Sequence, residues 1–244
     1  MKLSGKNALV TGGGSGIGRG IAECFAGEGA QVVIVGRTAD KLEVVRKAAG
    51  DDGQRIFARV ADARDRSSVA AAVAWTTEQL GSIDILVNNA GTNVARRAIK
   101  DLSPEDFELM IDTNLNGPFY FVHAVLPQMR ERGEGLIINI SSTAGVRVSE
   151  LAGGGYSASK FGLAALSLQI GLEEGKNGIR SCMICPGEVN TPILDRRPVV
   201  PSAEQRALML QPEDLAQAAL LIATLHPRAT IPEMIITPTI QRFG

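Results

Sequence analysis

Tyr156 and Lys160 stand four residues apart in the segment GGGYSASK. On a helix that spacing puts both side chains on one face, one turn apart. A free phenol has a pKa of about 10 and exchanges protons poorly at neutral pH, but a nearby ammonium favours the phenolate and lowers that value. Bringing it from about 10 to about 7 takes about 4 kcal/mol of differential stabilisation. One exposed ion pair does not supply that, whereas a partly dry site holding further positive charge does. The pair therefore suits general acid–base chemistry without a histidine; His123 and His226 are both distant in sequence. Alone, the same spacing is also an ordinary contact on an amphipathic helix, and its companions decide between the two readings.

The first companion is TGGGSGIG, residues 11–18, comprising Thr11, Gly12, Gly14, Ser15, Gly16, Ile17 and Gly18 among its positions. Glycines allow a tight turn and close approach of backbone N–H groups to a pyrophosphate at a helix N-terminus. A glycine-rich run can be a plain flexible turn. Here it follows an apolar strand-like stretch and opens a helical pattern, which favours phosphate binding.

These residues need elements to position them. Strand-like runs fall at 7–12, 31–36, 55–60, 83–89, 135–141, 179–185 and 233–237, and helical patterns at 16–28, 39–49, 65–79, 104–131, 156–175 and 212–225. Near-continuous apolar strands alternating with helices predict an α/β fold, a Rossmann-like doubly wound and mostly parallel seven-stranded sheet covered on both faces. Residues 1–244 read as one dinucleotide-binding domain, with no linker or charge block dividing them. Ligands in such sheets bind at the carboxyl ends of the strands, where every cluster described here falls.

The Thr-Gly-x-x-x-Gly-x-Gly spacing of Thr11, Gly12, Gly16 and Gly18 resembles the short-chain dehydrogenase/reductase family. NNAG at 88–91, the serines of INISSTAG, Tyr156 and Lys160 in YSASK, and PGEVNTP at 186–192 follow in that family's order across almost the whole chain. Length and glycine spacing point to its short, single-domain branch. The resemblance implies hydride transfer between a nicotinamide cofactor and a carbonyl or secondary alcohol, with Tyr156 as acid or base and no metal. Ser142 matches the serine that steadies the developing alkoxide, although its interval to Tyr156 is one residue longer than the family leads one to expect. The glycines at 153–155 could absorb the insertion, or Thr143 could supply the hydroxyl instead. Asn114, in IDTNLNGPFY, matches an asparagine at a helix kink that holds a water linked to the lysine. Gly117 and Pro118 independently predict distortion there, and Asn114 or Asn116 could simply satisfy the disrupted backbone.

For the cofactor, VVIVGR ends the second strand on Gly36 and Arg37 with no carboxylate. An arginine there suits a 2′-phosphate, so NADP(H) is favoured over NAD(H). The plainer reading is a solvated arginine with Asp40 capping the next helix. Against NADP(H), the other basic position that the family often uses holds Ser15. The resemblance assigns Asp62 to the adenine amino group, with helix capping as its ordinary alternative. It assigns Asn89, Ala90 and Gly91 to the adenosine side, Lys160 also to the nicotinamide ribose, and Pro186, Gly187, Val189 and Thr191 to the nicotinamide end.

Substrate loops fall at 91–100, 142–155 and 186–210, carrying Arg96, Arg97, Arg147, Arg196 and Arg197 beside Glu150, Glu188 and Asp195. These arginines could steer an anionic carbonyl compound or be ordinary solvated charges. A net charge of −1 gives no reason to expect nucleic acid or an anionic membrane, and no apolar run approaches the ~20 residues of a membrane span. A soluble cytoplasmic protein is expected. Cys182 and Cys185 form a C-x-x-C, but on a strand residues three apart face opposite sides, so core cysteines are expected rather than a redox or metal pair. The resemblance implies a homodimer or homotetramer, through the helices at 104–131 and 156–175. The C-terminal residues read as a frayed tail that could otherwise reach a partner's site.

Overall fold

The structure, a computed structural model, describes residues 1–241. Seven strands form one sheet: β1 (Asn7–Thr11), β2 (Gln31–Gly36), β3 (Ile56–Val60), β4 (Ile85–Asn88), β5 (Gly135–Ile140), β6 (Ile179–Pro186) and β7 (Glu233–Ile236). They lie in the order β3-β2-β1-β4-β5-β6-β7, and every adjacent pair is parallel. The order reverses between β1 and β4, opening the crevice that doubly wound sheets use for ligands.

Alternation along each strand divides the core. Ala8, Val10, Val32 and Ile34 face α1 (Gly16–Gly27), α2 (Ala39–Ala48) and α8 (Pro212–Thr224). Leu9, Val33, Val35 and Leu86 face α3 (Arg66–Leu80), α5 (Gly117–Arg132) and α6 (Gly154–Glu174). Both faces are thus apolar, which is why the strands read as continuous runs. Each fully buried large side chain, such as Phe25 or Phe121, contributes about 1.5–3 kcal/mol. Cys182 and Cys185 pack into different apolar clusters, and burial pushes their thiols up to about 12 and about 11.

A polar seam crosses this apolar interior. Asn88 donates to Asn139 (2.9 Å), Asn139 to Ser167 (3.0 Å), and the Ser167 and Ser181 hydroxyls meet at 3.1 Å. The chain of bonds ties β4, β5, α6 and β6 into one register, which fixes the helix carrying Tyr156 and Lys160.

The helical stretch expected over 104–131 is divided into α4 (Pro104–Ile111), a π-helical turn Asp112–Asn116, and α5. The loop 186–210 contains a 3₁₀ turn, Pro192–Arg196, and a short helix α7 (Ala203–Ala207) held by a Ser202–Gln205 capping box. The tail differs from the frayed segment expected. Gln241 accepts a hydrogen bond from the Glu188 amide at 3.0 Å and donates its own amide to Pro238 at 2.9 Å. Residues 242–244 of that tail lie outside the described residues. Among the described residues no helix is long and apolar enough to cross a membrane.

Candidate active site

A cavity of about 470 Å³ runs along the carboxyl ends of the strands. Its wall includes Gly12, Gly14, Ser15, Gly16 and Ile17 at one end and Ser142, Tyr156 and Lys160 at the other. Gly18 is packed beneath rather than exposed to it: a Cβ there would lie 2.4 Å from Asn89 Nδ2 and 2.5 Å from the Gly12 oxygen. Thr11 lines the cavity, but its hydroxyl is spent. It donates to the Val87 carbonyl and accepts from the Asn89 and Ala90 amides at 2.9 and 3.0 Å. Thr11 therefore positions the Asn89-Ala90-Gly91 turn against β1, and offers a ligand no further side-chain donor.

The start of α1 fits an anion. Ser15 makes no side-chain cap bond and the first turn has no acidic residue, so the first-turn N–H groups and the positive end of the helix dipole are left for a ligand. Across the cleft, Thr191 Cγ2 and Cβ lie where a Gly16 Cβ would come within 3.0 and 3.2 Å. The 186–192 loop thus closes over the glycine turn, bringing Pro186, Gly187, Val189 and Thr191 to the wall.

Arg37 lines the cavity beyond β2, exposed, and makes no hydrogen bond or ion pair among the described residues. Thr38 is the N-cap of α2 with its hydroxyl unused in capping, and Lys41 lies beside Gly14. Asp40 is in the first turn rather than at the cap. Thr38 and Lys41 escaped the sequence reading, although a helix start three residues before a lysine was visible there. Asp62 lines the cavity but does not cap α3; Asp65 does, accepting from Ser67 and Ser68. The Asp62 carboxylate is held by Arg64, with Nη2 at 2.6 Å, and this hydrogen bonding keeps its pKa below the ordinary value.

Tyr156 sits in the first turn of α6 with its phenol facing the Ser142 side chain, an interaction that works to lower its pKa. Thr143 lines the same cavity, so both hydroxyl candidates reach its wall. The loop between them and α6 ends on Gly153, at φ 79°. Lys160 is buried one turn on and donates to the Ile140 carbonyl at 2.8 Å. Burial lowers its pKa to about 8.

The pKa of the phenol itself is raised from its ordinary value. Burial is the largest influence and raises it, opposed by the Ser142 side chain and the charges of Arg97 and Arg197. Lys160 is not the cation that offsets this burial: its ammonium faces Ile140 and lies 5.7 Å from the tyrosine ring centre.

Asn114 is fully buried within the π-helical turn, outside the cavity wall. It accepts from the Thr92 amide (2.8 Å) and donates to the Thr92 carbonyl (3.0 Å) and Ser159 hydroxyl (2.9 Å). It thus spends its amide on the loop after β4 rather than on its own helix, while Asn116 bonds Asp112. Asn114 Oδ1 and Lys160 Nζ both lie near Gly91, at 3.5 and 3.7 Å from where its Cβ would stand.

Of the loop arginines, Arg97, Arg196 and Arg197 line the cavity, whereas Arg96 and Arg147 are exposed and do not. Arg197 pairs with Glu188 at 2.7 Å. Arg97 is buried and donates to three carbonyls, those of Val94, Leu151 and Arg196.

The sheet and its cleft define a Rossmann-like α/β fold with an open cavity at the carboxyl ends of its strands. The family model for short chain dehydrogenase matches residues 6–198, and the chain belongs to that family. It is 42% identical over 195 residues to oxidoreductase UcpA of Salmonella typhimurium, covering 80% of this chain and 73% of that one. Serine dehydrogenase complexed with NADP+, in a closed form, superposes with a TM-score of 0.88 at 32% identity, covering 98% of this chain and 97% of that one. The 3-ketoacyl-(acyl-carrier-protein) reductase of Brucella melitensis complexed with NADH gives 0.88 at 31%, covering 97% and 98%.

Proposed function

We propose that this oxidoreductase interconverts a carbonyl compound and a secondary alcohol, prefers NADP(H), and uses Tyr156 as its proton donor and acceptor. The observation that carries the reading is that Ser142, Tyr156 and Lys160 line one end of a cavity that continues to the glycine turn. The nicotinamide supplies or accepts the hydride when bound. Ser142 holds the substrate oxygen and steadies its negative charge. Tyr156 passes a proton to or from that oxygen. Lys160, with N–H donors beyond the one given to Ile140, holds ribose hydroxyls. Asn114 holds the loop after β4 against the lysine side of the site.

The dinucleotide lies with its diphosphate at the start of α1 and its adenosine against Asp62, Asn89, Ala90 and Gly91. Pro186, Gly187, Val189 and Thr191 flank the nicotinamide end. NADP(H) preference rests on Arg37, Thr38 and Lys41 at the start of α2, where no carboxylate lines the cavity; a phosphate dianion suits that set and NAD(H) leaves it unused. Relatives holding NADP+ and NADH support the cofactor type rather than the preference. A homodimer or homotetramer would cover Phe119, Phe161, Leu168 and Leu172, exposed apolar residues of α5 and α6.

Titration with NADPH and NADH, followed by nucleotide fluorescence, tests the cofactor assignment, and Tyr156→Phe tests the chemistry. Binding of neither nucleotide would overturn the reading.

A further inference from the structure

Arg97 is an anomaly in the cavity wall. Only 8% of it is exposed, yet it forms no salt bridge among the described residues. Its neighbours differ: Arg197 is neutralised by Glu188 and Arg206 by Asp195. Removing a charge from water without a counter-charge is costly. Burial lowers the Arg97 pKa, and the nearby Arg197 lowers it further.

The hydrogen bonds to carbonyls explain part of this. Nε donates to Val94 at 2.9 Å, Nη1 to Leu151 at 2.8 Å and Nη2 to Arg196 at 2.9 Å. Those carbonyls belong to the three loops after β4, β5 and β6, so one side chain staples the whole substrate mouth. A neutral amide could staple part of this without burying a charge. A guanidinium has five N–H donors, and the bonds made here leave one free on each terminal nitrogen. Free N–H donors on a guanidinium pair well with carboxylate oxygens.

Resting on the oxidoreductase reading above, we propose that Arg97 binds the carboxylate of the substrate, which is a short oxo acid or the corresponding hydroxy acid. Arg97, Ser142 and Tyr156 line the same cavity, and the Arg97 charge reaches the phenol. Arg97 packs against Gly153, three residues before Tyr156, so the carboxylate and the reacting oxygen are held at the same end of the cavity, which suits a short substrate. No bond to the carboxylate is made or broken. It supplies the missing counter-charge and fixes the carbonyl against Ser142 and Tyr156. Arg196, which bonds the Thr92 hydroxyl and also lacks a salt bridge among the described residues, adds positive potential at the entrance.

The test compares pyruvate, 2-oxobutyrate, acetoacetate and levulinate with their methyl esters, using wild-type protein and NADPH. At least one acid should exceed its ester in kcat/KM by about tenfold or more, since the ester lacks the charge. Arg97→Met should collapse that ratio towards one, mainly through the KM of the acid, by about 30-fold or more. Arg97→Lys should retain part of it. Calorimetric titration of malonate into the protein loaded with NADP+ gives a readout independent of turnover: binding to wild type and none to Arg97→Met supports the site. Esters reduced as well as acids, or malonate ignored by the wild type, overturns the carboxylate proposal and leaves the oxidoreductase reading intact. Arg97-dependent malonate binding with no reduction of any carbonyl supports the site and counts against the reading.

Discussion

Lys160 lies one turn after Tyr156 with its ammonium 5.7 Å from the tyrosine ring centre, yet it donates to the Ile140 carbonyl at 2.8 Å rather than to the phenol. Geometry and energetics part company here. Proximity on the helix is what the spacing predicts, but in this state burial outweighs the available positive charge and raises the phenol's pKa.

Tyr156→Phe should cut kcat by about 10²–10⁴-fold, the range for loss of a positioned acid or base. The ring and its packing survive, so NADPH affinity should stay within a few-fold of wild type. Stopped turnover with normal nucleotide binding is the expected pair of results. Unchanged turnover would remove the tyrosine from the mechanism.

The lysine makes a stability prediction with a sign opposite to that of a salt-bridged lysine. Its pKa is about 8 when folded and about 10.4 when free. Between these values the unfolded chain binds the proton and the folded chain does not. The nucleotide-free protein therefore gains stability as pH rises through that window, by up to about 3 kcal/mol. Cys182 and Cys185 oppose this once unfolded thiols ionise, above about pH 8.5, because their folded values are raised. Urea unfolding of wild type and Lys160→Met across this range isolates the lysine as a difference. Parallel curves for the two proteins would reject the assignment.

Arg37→Ala should weaken NADPH binding by about 10- to 100-fold, the worth of a hydrogen bond between charged groups, and leave NADH nearly unchanged. Lys41→Ala should weaken NADPH less, because its ammonium is exposed and flexible. Paired fluorescence titrations read both. Equal losses for the two nucleotides would mean that Arg37 supports the adenosine rather than a phosphate.

The sheet was legible because its strands are buried on both faces and bounded by glycine turns; even the strand ends agree to within a residue or two. Tyr156 and Lys160 were legible through helical spacing, and the glycine turn through its place between a strand and a helix. Arg97 was visible only as one of the five loop arginines named. Its bonds to Leu151 and Arg196 span 54 and 99 residues, and no local pattern encodes a contact between separate loops. Asp62 shows the same limit. Either it or Asp65 could have capped α3, and only the backbone path selects Asp65. The upward shift of the Tyr156 pKa was not legible for a different reason: spacing counts charges, whereas desolvation depends on the packed surroundings.

Gly153 tests how tightly the start of α6 is tied to the loop bearing Arg97. It sits at φ 79°, and an added Cβ would come within 2.6 Å of the Arg97 Cβ and 2.7 Å of the Arg97 carbonyl oxygen. Those atoms belong to backbone and to the base of a side chain fixed by three hydrogen bonds, so neither yields easily. Gly153→Ala should cost about 1–3 kcal/mol from backbone strain and more from the displaced Arg97, lowering activity together with stability. Gly175 is the control: it has helical angles, φ −55° and ψ −38°, and open space around a would-be Cβ. Gly175→Ala should be neutral or stabilise by up to about 1 kcal/mol, through a less disordered unfolded chain. Thermal melts separate the two. A Gly153→Ala protein that melts with Gly175→Ala and keeps its activity would show that the loop bearing Arg97 shifts freely, and would loosen the link drawn here between the start of α6 and the mouth of the site.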